Sequence, residues 1–270
     1  MNNGNSATPT TPWEASVAQY LKKHGFEAFQ PKAVLFDMDG VIYDSMPNHA
    51  TSWQKAMDSF GLHMTAADAY RYEGMRGVET IKLLAAQQWQ CQLSDEEAQR
   101  MYSVKTRYFG QCPPAQKMEG VEALMKLISS MGLTIGVVTG SGQHTLLDKL
   151  ENDFKGLISQ RYMVSSFDVT HGKPAPDPYL KGLHKCGELK PWQAIVVENA
   201  PLGVRAAQAA KIFTIAVNTG PLPNQLLADE GADMVFGCME EVRQSLLAQK
   251  SSSASTSSSD ASALVSETLP

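Results

Sequence analysis

The stretch Ala33-Val34-Leu35-Phe36-Asp37-Met38-Asp39-Gly40-Val41 constrains this chain more than any other. A short apolar run bounded by turn chemistry reads as a strand buried on both faces, the kind found inside parallel sheets. Side chains alternate along a strand, so Asp37 and Asp39 share one face if the extended run continues to them. Gly40 lets the backbone turn there. Two carboxylates held side by side repel each other unless a cation lies between them. An oxygen-liganded magnesium ion is the simplest such cation, and a plain Asp-x-Asp-Gly surface turn is the alternative.

The remainder of the chain divides by pattern. Residues 1–30 form an N-terminal tail, with no apolar core in the first dozen, which suggests disorder over 1–12, and a short amphipathic helix at 13–26 that carries Val17, Tyr20 and Leu21 on one side. Helices are expected at 47–60, 66–72, 78–90 and 94–109, the last opened by the capping box Ser94-Asp95-Glu96-Glu97. This block, 44–114, shows no strand and reads as an inserted helical lid. Strands and helices then alternate: helices at 120–131, 143–150, 178–186 and 201–210, and strands at 133–138, 162–164, 194–197, 212–217 and 234–236. Such alternation predicts an α/β fold with a mostly parallel sheet and helices on both faces, built from 31–43 and 115–248. The Ser-rich stretch 249–270 lacks the apolar residues for a core.

Composition excludes several classes. The net charge is -5 and no dense Lys/Arg stripe occurs, which argues against nucleic acid as a partner. No apolar run approaches the length of a membrane span, and the opening residues do not resemble a secretory signal, so a cytoplasmic location is expected. Cys91, Cys112, Cys186 and Cys238 are widely separated, which predicts neither a disulfide framework nor a zinc site. No obligate protein partner is evident.

Ligands of open parallel sheets bind at the carboxyl ends of the strands. The strand ends here offer Asp37 and Asp39, then Thr139-Gly140-Ser141, then Lys173 on the Pro-rich loop His171-Gly172-Lys173-Pro174-Ala175-Pro176, then Glu198-Asn199. Carboxylates and an amide can hold magnesium, while a hydroxyl, loop N–H groups and a lysine can hold phosphate oxygens. A carboxylate can attack phosphorus without a base, and a second one can donate and then accept a proton.

Taken together, Asp37-x-Asp39-Gly40-Val41, Thr139-Gly140-Ser141, Gly172-Lys173-Pro174-x-Pro176 and Glu198-Asn199-x-Pro201-x-Gly203 resemble the motifs of the haloacid dehalogenase superfamily over residues 32–249. The helical insert resembles the cap of its β-phosphoglucomutase-like branch. The resemblance implies a Rossmann-like core and an aspartyl-phosphate mechanism. Asp37 would be the nucleophile and Asp39 the general acid and base, with its main-chain carbonyl on magnesium. Thr139 would bind the phosphoryl group and Lys173 would neutralise charge, with Gly140 and Ser141 beside the substrate. Glu198 and Asn199 would complete or support the metal site. Many members of this family carry Asp where this chain has Asn199; the amide still offers an oxygen but brings no charge, which predicts weaker metal binding.

Substrate choice falls to the cap. In Tyr70-Arg71-Tyr72-Glu73-Gly74-Met75-Arg76-Gly77, Glu73 stands where sugar-phosphate mutases of the branch usually carry a basic residue, and Arg76 is one position early. Glu73, Asn199 and the wording Glu198-Asn199-Ala200-Pro201-Leu202-Gly203-Val204 look like the inorganic pyrophosphatases of the branch, which would send Glu73 down to the magnesium; a solvated helix residue is the other reading. The expected activity is therefore a magnesium-dependent hydrolase of pyrophosphate or a small phosphomonoester. The alternative is a β-phosphoglucomutase-like mutase. His49 favours it, because mutases place a histidine there to gate the general acid, although His49 also reads as a helix-surface residue beside Trp53. A catalytically silent phosphate-binding protein is a third reading. Trp13, Trp53, Trp89 and Trp192 read as packing residues, Met57, Met64 and Met75 as core filling, and Asp177 as a helix cap or an orienter of Lys173.

Overall fold

The computed structural model describes residues 11–141 and 144–250. Its centre is one six-stranded sheet, parallel throughout, in the order β3-β2-β1-β4-β5-β6. The strands are β1 (Ala33–Phe36), β2 (Thr134–Val138), β3 (Met163–Val164), β4 (Ala194–Glu198), β5 (Phe213–Val217) and β6 (Met234–Phe236). β1, β4 and β5 are buried along their whole length, which explains their nearly unbroken apolar sequences.

Alternation along β1 sorts its side chains between two cores. Val34 and Phe36 join Val137, Val197 and Ile215 on one face. That face is covered by α6 (Val121–Ser130), α7 (His144–Asp153) and a helical run at 239–250, through Leu124, Leu150 and Val242 among others. Leu35 turns to the opposite face with Val138 and Val196, under Tyr179 of α8 (Asp177–Lys185) and Ala206 of α9 (Pro201–Ala209).

The first-face core also holds α1 (Pro12–His24). Its capping box joins Thr11 to Glu14. Trp13 and Tyr20 lie 5.5 and 5.4 Å from Phe213, ring to ring, and the Tyr20 hydroxyl donates to the Lys211 carbonyl at 2.9 Å. The stretch read from sequence as a tail thus carries a docked helix.

Between β1 and α6 lie α2 (Met46–Ser59), α3 (Ala66–Arg71), α4 (Gly77–Gln88) and α5 (Asp95–Gly110). They share a separate core of Trp53, Met57, Leu62, Met64, Ile81, Leu84 and Met101. The Ser94–Glu97 capping box forms as expected. Two linkers join this cap to the sheet and hold each other: Asp44 N–H donates to the Gln116 carbonyl at 2.9 Å and Met118 N–H to that of Ile42 at 2.8 Å.

Some expectations change. Trp89 ends α4 40% exposed rather than packed, and Met75 is only half-buried. Asp177 does not cap its helix; it pairs with His171 on the surface at 3.1 Å. The helix at 239–250 and α10 (Asn224–Asp229) were not anticipated. The sequence suggests disorder over 1–12 and 249–270, but Thr11 caps α1, Pro12 opens it, and 249–250 continue the last helix; residues 1–10 and 251–270 lie outside the described residues, as does Gln143 at the expected start of α7. No helix among the described residues is long and apolar enough to cross a membrane.

Candidate active site

Strand order reverses at β1, with β2 on one side and β4 on the other, and the polar residues gather at the carboxyl end of this junction. The Asp37 N–H donates to the Val197 carbonyl at 3.0 Å, extending the β1–β4 ladder by one residue and setting Asp37 beside Glu198. Thr139 leaves β2 next to β3, its N–H donating to the Val164 carbonyl at 2.9 Å. Asp37, Thr139, Lys173, Glu198 and Asn199 are all buried.

Lys173 joins three strand ends. Its ammonium donates to Asp37 Oδ1 at 2.5 Å, to Glu198 Oε1 at 2.7 Å and to the Val138 carbonyl at 3.2 Å. Burial alone would lower its pKa, but the flanking carboxylates of Asp37 and Glu198 reverse the direction and keep the lysine charged. Burial pushes the Asp37 carboxyl well above the usual carboxylate range; Lys173 opposes this, and the charges of Glu198 and Asp39 add to it.

Glu198 is held at both of its oxygens. Oε1 accepts from Lys173 and from the Tyr179 hydroxyl at 2.7 Å, and Oε2 accepts from the N–H groups of Asn199 and Ala200 at 2.9 and 3.2 Å. A carboxylate offers about four lone-pair sites, and protein donors meet both oxygens, so Glu198 anchors the lysine at the strand end. Gly203 makes this possible: a Cβ there would stand 1.8 Å from Glu198 Oε1. The Gly of the Glu-Asn-x-Pro-x-Gly motif is thus a packing requirement of the buried carboxylate.

Asn199 is arranged differently. Its Nδ2 faces Thr219 Oγ1 at 3.4 Å, and its Oδ1 is buried without a hydrogen-bond partner among the described residues. Gly40, at φ +81°, admits the amide, since a Cβ there would lie 2.0 Å from Asn199 Nδ2.

Asp39 looks toward the cap. Oδ1 accepts from the Ser45 hydroxyl at 2.6 Å and lies 3.4 Å from His49 Nε2. Burial would raise its pKa, yet His49, Ser45 and Lys105 together bring it below the ordinary value. The two aspartates are therefore pushed in opposite directions. His49 is not a surface residue beside Trp53: its ring packs 4.4 Å from Phe109, and its Nδ1 meets the Lys105 ammonium at 3.1 Å. Lys105, only 3% exposed, lies within cation–π distance of Trp53, Tyr102 and Phe109. The sequence reading missed it, although a lysine on the same helical stripe as Ala98 and Met101 was the available signal.

The loop before α4 lies on the core. Gly74 adopts φ +88°, and a Cβ there would stand 3.2 Å from Lys173 Cδ; the Gly74 carbonyl oxygen lies 4.0 Å from where a Cβ on Gly140 would be. Glu73 is half-buried. Burial raises its pKa and Asp39 adds to this, while His49 and Lys105 pull it down, so its charge lies within reach of all three. Arg76 is exposed, with its stem over Gly172. The Tyr70 ring occupies the space above Gly220, where a Cβ would come within 2.5 Å. Ser141 helps shape the loop after β2: its N–H donates to Thr139 Oγ1 at 3.0 Å and its carbonyl accepts from Ser166 N–H at 3.1 Å. The structure thus gathers Asp37, Asp39, Lys173, Glu198, Asn199, His49 and Glu73, with Thr139, Gly140 and Ser141 alongside and Arg76 at the rim.

Comparison with known proteins agrees with this architecture. Residues 34–217 match the haloacid dehalogenase-like hydrolases, and the chain belongs to that family. A solved structure from Bacteroides vulgatus, provisionally described as a beta-phosphoglucomutase, is 45% identical and superposes with a TM-score of 0.84 over 89% of this chain and 97% of that one. Hexitol phosphatase A of Escherichia coli is 27% identical over 78% of this chain and 93% of its own length. A phosphorylated carbohydrates phosphatase of Thermotoga maritima is 27% identical over 68% and 83%.

Proposed function

We propose that this chain is a phosphohydrolase that transfers a phosphoryl group to Asp37 and then to water, with magnesium as cofactor and inorganic pyrophosphate or a small phosphomonoester as substrate. The observation that carries the reading is the pairing of Asp37 with Lys173 at 2.5 Å beside an unpartnered buried oxygen, Asn199 Oδ1.

The residues present fit magnesium. No three His, Cys, Asp or Glu side chains among the described residues converge on a metal point, but magnesium is commonly held by one or two carboxylates, further oxygens and water. The Asp37 carboxylate, the Asp39 main-chain carbonyl and Asn199 Oδ1 would supply those oxygens. The ion, when bound, screens the repulsion between Asp37 and an incoming phosphate.

Lys173 holds Asp37 at the strand end and offsets charge on the phosphoryl oxygens. Thr139 and the N–H groups of its loop contribute hydrogen bonds to those oxygens. Asp39, fixed by Ser45 and His49 and held below its ordinary pKa, would be the proton carrier: it must gain a proton before it can serve the leaving group, and it can then take one from water. Two features support a compact substrate. Gly74 lies so near Lys173 that a Cβ there would stand 3.2 Å from the lysine Cδ, and Glu73 is an acidic group on the cap side, where a distal sugar-bound phosphate would require cations.

A second reading, isomerisation of a sugar phosphate, is supported by the description of the Bacteroides vulgatus structure and by the His49–Asp39 contact, while the phosphatases among the relatives favour the phosphomonoester of the first. One panel separates them: initial rates on pyrophosphate, hexitol phosphates, glycerol phosphate and β-glucose 1-phosphate with a bisphosphate primer, with magnesium or with EDTA. Pyrophosphate turnover that needs magnesium and falls selectively in Glu73→Ala supports the first reading. Faster hydrolysis of hexitol phosphates selects the phosphomonoester over pyrophosphate within the first reading, and formation of glucose 6-phosphate replaces it with the isomerase. Activity undiminished by EDTA removes the cation from either.

A further inference from the structure

We propose that Thr219 is a positioning residue that decides which end of the Asn199 amide faces the reaction cleft. This rests on the reading of Asn199 Oδ1 as a magnesium ligand. Thr219 follows β5, on the far side of β4 from Asp37, and belongs to none of the motifs above.

The hydroxyl of Thr219 has one hydrogen to give. The Thr219 hydroxyl donates its one hydrogen to the Gly40 carbonyl at 2.7 Å, inside the Asp-x-Asp-Gly turn. Its oxygen is left able only to accept. The group it meets at 3.4 Å is Asn199 Nδ2, a donor. With the amide turned over, two acceptors would face each other and the Nδ2 hydrogens would replace the oxygen on the opposite side. Thr219 therefore selects the rotamer in which Oδ1, buried and otherwise unpartnered, is the end offered to a cation. A carboxylate at position 199 would present oxygen in either orientation and would not need this selection. Two neighbours hold the arrangement. Gly40 leaves room for Nδ2, and the Tyr70 ring lies against Gly220, next along the chain from Thr219.

The test measures binding rather than turnover. Magnesium affinity is determined by titration calorimetry on the full chain for wild type, Thr219→Val, Thr219→Ser, Asn199→Asp and the Asn199→Asp/Thr219→Val double variant, with melting curves to confirm folding. Groups that orient a metal ligand typically change affinity about 10- to 100-fold. A loss of that size is expected for Thr219→Val, with Ser within about twofold of wild type because it keeps both hydrogen bonds. In the Asn199→Asp background, Thr219→Val should cost less than about threefold, since the two ends of a carboxylate are equivalent. Equal losses in both backgrounds, or none in Thr219→Val, overturn the role of Thr219 and leave the proposed function standing. If valine disturbs folding, Thr219→Ala gives the same readout. Wild-type protein that binds no magnesium overturns both.

Discussion

The two sides of the cleft are built by different means. On the sheet side, Asp37, Lys173 and Glu198 are locked by short hydrogen bonds among buried ions, and every oxygen of Glu198 is used. On the cap side, Lys105 meets His49 Nδ1 and three aromatic rings, with the charges of Glu73 and Asp39 further off. Glu73 is influenced by charges nearby rather than tied by a network. Two buried lysines thus stand in unlike settings. Lys173 is the cation of an ionic lattice, and its removal strands two carboxylates. Lys105 is a charge in an aromatic box, and its removal strands no ion-paired carboxylate; it leaves rings that another side chain can cover and one imidazole nitrogen, His49 Nδ1, without its partner.

That contrast can be broken experimentally. The largest effect is expected from Asp37→Asn, which should lower turnover by at least about a thousandfold with the fold retained, as read by initial rates and circular dichroism. Retained turnover would remove Asp37 from the chemistry. Next, Lys173→Met should cost about 3–5 kcal/mol in urea denaturation, the usual result of breaking a buried ion pair from one side. Lys105→Met should change stability by less than about 1 kcal/mol while lowering kcat about tenfold, because His49 loses its partner. If both lysine variants destabilise equally, the contrast fails. Gly220→Ala, which puts a methyl 2.5 Å from the Tyr70 ring, should raise KM several-fold with little change in kcat. Away from the cleft, Tyr20→Phe should cost about 1 kcal/mol by removing the bond to the Lys211 carbonyl, without touching activity.

The same divide explains what could be read from sequence. Asp37, Thr139, Lys173 and Glu198-Asn199 stand at strand ends or in Pro- and Gly-marked loops, so local pattern locates each one, and the parallel sheet brings them together. The partners that complete them leave no such mark. Lys105 lies 56 residues from His49 and meets it only because α2 packs on α5. Thr219 becomes informative only once β5 is placed beside β4. Glu198 was read as a metal group because an acid at a strand end invites it. Tyr179, nineteen positions earlier on α8, supplies a donor that local pattern cannot show. Docking of α1 depends on Trp13 and Tyr20, seven positions apart on one side of a helix, a spacing that shows an apolar face but not what covers it.

Asp37 and Asp39 are separated by a single residue yet answer to different bodies. The first is held by a lysine that belongs to the sheet. The second takes its hydrogen bond from Ser45 and lies 3.4 Å from His49 Nε2, at the root of the inserted helices and just past the linker. Any swing of those helices about the paired linkers therefore tugs on one carboxylate and spares the other. The two carboxylates of one tight turn are thus restrained from opposite sides of the linkers, one by the sheet and one by the root of the cap.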